Sequence, residues 1–233
     1  MFKHRANLLK AVCLCCLFAA IPGVGQTITP PIAEYRGKAD GMFELRNDGD
    51  APLAAIVEVQ GFEVDQDGSL KYKPADKDLN VVMGSNSFII PPHQTHMVFY
   101  KAVSKKPQAW FTILSTLTKA ATNRQQMRIN FVLPHVVYLY QKQKLKKEDV
   151  AVSVSPGSKP GEFQVELQNR SDKLARVGNL NWRGFEKNGE SGGFPVFPNA
   201  KRIVRFQAGS PSSDANVKVS FEDGFSADVA VQQ

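Results

Sequence analysis

Histidine is the side chain best suited to acid–base or metal chemistry near neutral pH, and beyond residue 25 the chain has three: His93, His96 and His135. His93 and His96 share the turn Pro91-Pro92-His93-Gln94-Thr95-His96, where two imidazoles could meet one metal ion. A closed zinc site takes four ligands and usually draws on thiolates. All three cysteines, Cys13, Cys15 and Cys16, lie before residue 25, so none follows to supply a thiolate or a thiol nucleophile. His135 stands alone behind Pro134 and reads as a structural residue. The chain has no G-x-S-x-G nucleophile turn, no H-E-x-x-H pair and no glycine-rich phosphate loop. Paired carboxylates obey no spacing rule, which keeps a β-sandwich hydrolase as a minor reading. Asn169-Arg170-Ser171 matches a glycosylation sequon, a pattern short enough to arise by chance. These residue types point to no catalytic centre, no metal and no cofactor, and to a binding protein rather than an enzyme.

The chemistry on offer is instead that of a strand. From Met127 to Tyr140 the sequence reads MRINFVLPHVVYLY. Met127, Ile129, Phe131 and Leu133 alternate with Arg128, Asn130 and Val132, which sets four large apolar side chains on one face. Val136 to Tyr140 is β-branched and aromatic and continues the strand. Pro134 interrupts it, and a residue without an N–H belongs on an edge strand or at a bulge. An edge strand with an apolar comb can add itself to another chain. The plainer alternative is an ordinary core strand of a β-sandwich.

Residues 1–25 read as a secretory leader: Lys3, Arg5 and Lys10, then an apolar run from Ala11 to Ile21, then Gly23 and Gly25. Cleavage is expected near Gly25–Gln26. No later apolar run approaches membrane-spanning length. The whole chain carries +7; without the leader's three basic residues, 26 basic residues face 22 acidic ones, a net of +4. That is too little and too dispersed for a nucleic-acid surface. The one dense basic run, Gln141 to Lys147, reads as a solvated linker over 142–149.

The elements that must carry the comb read as strands throughout, with no helical period of ten residues or more. Gln26–Pro31 is extended. Gly41–Arg46 is a strand, Asn47 to Asp50 a turn, and Pro52–Val64 a long strand or a strand pair. Asp65-Gln66-Asp67-Gly68 signals a hairpin turn. An irregular polar stretch leads to Phe88–Ile90, then come strands at Met97–Val103 and Ala109–Thr118, and a loop at Lys119–Gln126. Beyond the linker, AVSVS, EFQVELQN, ARVGNLNW, FPVF, RIVRF, NVKVSFED and SADVAVQ alternate with Gly, Pro, Asn and Ser. Turn signals about every ten residues mean sandwich or barrel. The expected architecture is all-β, with two immunoglobulin-like sandwiches over residues 26–141 and 150–233. No internal repeat stands out.

In order and spacing, YRGKADGMFELRNDGDAPLAAIVEV, IIPPHQTHMVF, AWFTILSTLT, MRINFVLPHVVYLY and EFQVELQNRSDKLARVGNL resemble the PapD-like periplasmic chaperones of the chaperone–usher pilus pathway, over about residues 32–233. Pro134 resembles their divergent, archaic branch. The resemblance implies two immunoglobulin-like domains in a boomerang. It implies a periplasmic role in which Met127, Ile129, Phe131 and Leu133 complete a pilin subunit that lacks a strand, before delivery to an outer-membrane usher. The family grips the pilin's terminal carboxylate with an Arg and a Lys; here Ile32 and Val137 match those positions, so Lys101, Arg128 and Lys142 become the candidate basic anchors. The family's interdomain Arg–Glu pair is expected to be absent, its positions matching Phe99 and Gln108. The loop at Lys119–Gln126 matches the short-loop class, whose members serve rod-type or non-polyadhesive pili. An exposed edge also makes a self-capping dimer a candidate state. The alternative function is a secreted structural or adhesive β-sandwich protein without an assembly role.

Overall fold

A computed structural model of the chain describes residues 25–106, 108–119 and 130–231. The expected leader, 1–25, lies outside the described residues except for Gly25, and Met127, Arg128 and Ile129 lie outside them as well. In chain order the strands are β1 (Gln26–Thr29), β2 (Ile32–Arg36), β3 (Lys38–Asn47), β4 (Leu53–Val64), β5 (Leu70–Lys73), β6 (Leu79–Met83), β7 (Ser87–Ile90), β8 (Thr95–Ser104), β9 (Ala109–Lys119) and β10 (Asn130–Tyr140). After a 3-10 turn at Lys147–Asp149 follow β11 (Val150–Pro156), β12 (Glu162–Asn169), β13 (Ala175–Phe185), β14 (Gly189–Ser191), β15 (Phe194–Val196), β16 (Lys201–Gln207), β17 (Pro211–Phe221) and β18 (Ser226–Ala230). The fold is all-β, built as two sandwiches.

The first sandwich faces a sheet ordered β1-β3-β8-β6 against one ordered β2-β10-β9-β4-β5, with β7 also on β4. Along β4 burial alternates although the sequence is continuously apolar at its start: Leu53, Ala55 and Val57 are buried while Ala54, Ile56 and Glu58 are exposed. Phe43, Leu45, Ile90, Phe111, Ile113 and Leu139 join them. The second sandwich faces β11-β12-β16 against β14-β13-β17-β18, with β15 on β13, around Val165, Leu167, Leu180, Val217 and Val219. Leu145, inside the basic run, is buried in this second core, so that run is tethered through one apolar side chain while its lysines stay exposed.

Two differences from the sequence reading have simple causes. Pro52–Val64 is one strand, not a pair. The polar stretch before Phe88 contains β5 and β6; β5 is fully exposed, an edge strand carrying Lys71 and Lys73, which pair with Asp65 and Glu63, each at 2.7 Å. Charged edges of this kind resist further pairing and look like loops in sequence. The hairpin signal Asp65–Gly68 is a turn, with the Gly68 N–H donating to the Asp65 carbonyl and Gly68 at φ +93°. A side chain at Gly68 would meet the guanidinium of Arg202 on β16 and have to displace it, so this first-domain turn and second-domain strand pack closely.

The sequence displays no repeat, yet both sandwiches close the same corner with a buried asparagine. Asn47 ends β3 and Asn169 ends β12, both with no exposure. Each side-chain oxygen accepts from the N–H two residues on (Gly49, Ser171; both 3.0 Å), and each amide donates to the carbonyl four residues on (Ala51, 2.9 Å; Lys173, 2.7 Å). Each amide also reaches a distant strand end, at Ile90 and at Val196, both 3.1 Å. Each backbone N–H donates to the residue after a left-handed turn residue, His93 (φ 57°) or Asn199 (φ 55°). The sequon asparagine is therefore a fully engaged core residue. Asn47→Ala and Asn169→Ala, each stranding buried carbonyls, are expected to cost about 1–3 kcal/mol apiece in urea unfolding; a loss below about 0.5 kcal/mol would mean water replaces the amide.

Candidate functional site

The half of β10 before Val136 is paired on one side only. With β9 its register runs without a bulge from Asn130↔Thr118 to Leu139↔Ala109. With β2 it pairs in parallel only from Val136↔Ile32 to Tyr140↔Arg36. Among the described residues, nothing pairs with the β2 side of Asn130 to His135. The Val136 N–H donates to the Pro31 carbonyl (2.8 Å) and the Gly37 N–H to the Tyr140 carbonyl (2.9 Å), so even-numbered residues aim their backbone at the β2 side. Alternation then assigns to the open margin the N–H groups of Asn130 and Val132 and the carbonyls of Asn130, Val132 and Pro134. The nitrogen of Pro134 falls on that margin too, where its missing hydrogen breaks no bond to β9. Of the two settings expected for this proline, edge and bulge, the structure has the edge.

Side chains alternate in the same way. The odd face holds Val137 and Leu139, fully buried in the first core, and continues through Leu133, half-buried against that core, to Phe131, 39% exposed. Val132 on the other face is 54% exposed. The comb thus emerges from the core as it runs back toward Asn130, with Met127 and Ile129 outside the described residues.

His135 stands where the margin begins. It is fully buried and stacked on Phe43 at 4.6 Å between ring centres. Its Nδ1 lies 2.7 Å from the Pro30 carbonyl, which can only accept, so Nδ1–H is the donor; Nε2, 2.9 Å from the Tyr100 hydroxyl, then accepts in the neutral ring. The Tyr100 hydroxyl is 3.2 Å from that of Tyr35, and Gly41 leaves the space in which the two tyrosines meet. The network pins the crossover at Pro30, where the chain leaves β1 in one sheet for β2 in the other. It is structural, as expected. His93 pairs with Asp50 at 3.0 Å and His96 stacks on Phe88; the two imidazoles of the turn serve separate contacts.

The other half of β10 is buried on both faces. Tyr138 and Tyr140 on the even face pack with Phe62 of β4 and with Leu174 and Phe197 of the second domain. Burial pushes the Tyr138 hydroxyl up to about 12. Gln141 follows at 3% exposure; its amide donates to the Leu174 carbonyl and its oxygen accepts from the Leu174 N–H, both at 3.1 Å. Glu34 on β2 lies 2.9 Å from Arg176 on β13. Burial raises the pKa of Glu34, partly offset by the Arg176 charge. An interdomain Arg–Glu pair is therefore present, at Arg176 and Glu34 instead of the matched positions Phe99 and Gln108. Arg36 reaches Asp223 at 3.0 Å. The sequence marked Val136–Tyr140 as strand, and nothing in it marked the aromatic contact, Gln141 or Glu34.

A cleft of about 740 Å³ lies between the domains beside this junction. Arg36, Lys38, Lys106, Lys142 and Lys173 line it, with Asp172. Lys106 is held by Asp76 at 2.5 Å and Lys173 by Asp149 at 3.1 Å; among the described residues no ion pair engages Lys38 or Lys142. Of the candidate anchors, Lys142 is therefore in the cleft. Lys101 pairs with Asp40 at 3.4 Å, one outward-facing pair beyond Lys38↔Val103 on β3 and β8 and outside the lining. Arg128 lies outside the described residues. Ile32 is 51% exposed at the head of β2, and Val137 is wholly buried, so neither offers a charge.

No protein-family profile matches the chain, and no curated protein matches it by sequence. Solved structures do. The class 5 fimbriae chaperone CfaA superposes with a TM-score of 0.54 at 8% identity, over 89% of this chain and 100% of that one. The YadV chaperone gives 0.54 at 10% identity, over 87% and 96%. The complex of the Salmonella enterica SafA pilin with the SafB chaperone gives 0.52 at 10%, over 87% and 93%. The chain has the two-domain β fold of the PapD-like fimbrial chaperones.

Two measurements check the geometry of the margin. In hydrogen exchange, the Val132 amide is expected to exchange quickly and the Phe131 and Leu133 amides, turned toward β9, slowly; equal protection would mean the margin is covered. Burial holds the His135 pKa below its ordinary value, so the unfolded chain takes up a proton first as pH falls through about 6.5. The stability supplied by the neutral ring is full above that pH and is lost as pH drops toward the folded value. His135→Gln is expected to flatten the fall of the urea midpoint below pH 6.5; an unchanged slope would assign the acid sensitivity to other groups.

Proposed function

We propose that this chain is a periplasmic chaperone that holds pilin subunits by lending them the open half of β10, and passes them to an outer-membrane usher. The observation that carries the reading is the half-paired strand: among the described residues, no strand takes the N–H groups of Asn130 and Val132 or the carbonyls of Asn130, Val132 and Pro134, beside Phe131 and Leu133 rising out of the core. A subunit that lacks one strand has the complementary need, a groove with unpaired edges and empty pockets. Strand addition supplies ladder bonds to the edges and alternate side chains to the pockets. Each apolar anchor so buried is worth roughly 1.5–3 kcal/mol, before the cost of ordering both partners. Met127 and Ile129 extend the same comb in sequence, so the donor set is Met127, Ile129, Phe131 and Leu133. No nucleotide is needed, because the client's own groove supplies the driving force.

The fimbrial chaperone fold supports the same reading, and residues 1–25 would export the chain to the periplasm. For the subunit's terminal carboxylate, Lys142 and its cleft neighbour Lys38 take the place of the family's basic pair, since Ile32 and Val137 cannot. Lys101 is a weaker candidate because Asp40 already engages it. The test is Phe131→Asp in cells that make the client pilin. The variant is expected to fold, because Phe131 is exposed, and to lower the periplasmic pilin level at least tenfold through proteolysis. A folded variant with an unchanged pilin level would leave only a secreted two-domain β protein.

A further inference from the structure

We infer that Pro134 biases the open margin of β10 toward an unlike strand and against a second copy of this chain. The identity of the unlike strand rests on the chaperone reading; the bias itself does not. An exposed edge is a template for any strand, and the nearest at high concentration is the same edge on another molecule. Two such edges would pair antiparallel about a twofold axis, with outward-facing residues opposite one another and exchanging two bonds per pair.

The outward-facing residues are Asn130, Val132 and Pro134, as fixed by the Val136 and Tyr140 bonds to the β2 side and the unbroken register with β9. With the axis through Val132, Asn130 of each copy faces Pro134 of the other, and Pro134 returns no bond. Because the axis repeats every contact, the loss falls twice. Moving the axis toward Pro134 sets Val132 opposite Pro134, again twice. Sliding further is blocked where Pro31 already occupies the Val136 N–H. Every twofold register that spans Pro134 therefore loses a bond in duplicate, whereas an unlike strand, contributing its own full set of donors, loses it once. The proline also costs the protein's own fold nothing, since its nitrogen faces away from β9.

One ladder bond is worth about fivefold in an association constant. Pro134→Ala should thus strengthen self-association about 25-fold, the square of the effect on an unlike strand. The experiment is sedimentation equilibrium of the mature full-length chain, wild type against Pro134→Ala, with hydrogen exchange at Val132 locating the contact. The expected result is a weakly associating wild type, a variant whose dimer constant rises about 25-fold with new protection at Val132, and a Pro134→Ala/Val132→Pro double variant that falls back. A variant that stays as monomeric as the wild type overturns the inference, as does a wild type that already dimerises through a protected Val132. Should Pro134→Ala misfold by circular dichroism, Pro134→Ser is read by the same criteria. The measurement contains no pilin, so its failure leaves the chaperone reading standing, and an unchanged pilin level with Phe131→Asp leaves this result standing.

Discussion

Every buried backbone N–H and carbonyl must find a partner, and among the described residues β10 is paired on both sides only along the half that is buried. From Val136 onward it is the interior of the molecule, bonded to β9 on one side and β2 on the other, with Val137 and Leu139 in the first core and Tyr138 and Tyr140 against the second domain. Before Val136 it keeps β9 and loses β2. The rest of the architecture serves that asymmetry. The crossover at Pro30 decides where β2 begins, and His135, Tyr100 and Tyr35 hold the crossover in place.

A free edge can be exposed without fraying because its own strand is anchored so heavily downstream. Leu133 still touches the core, His135 is sealed, and the interdomain aromatic cluster clamps the far end. The margin is therefore presented stiffly, which limits the ordering cost that a partner strand must overcome. The interdomain contacts add to the stiffness. Gln141 closes two bonds with Leu174, and Arg176 sits against Glu34, whose burial works against its charge.

Much of this was legible in the chain because it rests on alternation. Glu162 to Asn169 alternates in sequence and in burial alike, whereas Leu53-Ala54-Ala55-Ile56-Val57, apolar throughout, alternates in burial alone. Pro134 announced an edge by its chemistry. What stayed hidden depends on partners far away in sequence. Gln141 is one polar residue at the head of a basic run until Leu174 folds against it. Glu34 and Arg176 lie 142 positions apart and obey no spacing rule. The matching corners at Asn47 and Asn169 share hydrogen-bond geometry, while their flanking residues differ enough to conceal the repeat. Strand β5 was missed because an exposed edge strand needs few apolar residues, while β6, Leu79-Asn80-Val81-Val82-Met83, has the residues of a strand but is set in a polar stretch.

The fit of Gly68 against Arg202 bears on how such a chain can evolve. Two sandwiches on one polypeptide invite modular exchange, one lobe replaced while the other is kept. Here a side chain in the hairpin of the first lobe would have to displace a guanidinium of the second, and the left-handed backbone of Gly68 favours glycine on its own account. A transplanted second lobe without that arginine would leave a hole beside the hairpin, and a first lobe with a larger residue in the turn would have to turn the arginine aside. Recombination between distant relatives would keep this contact intact by carrying both positions across together.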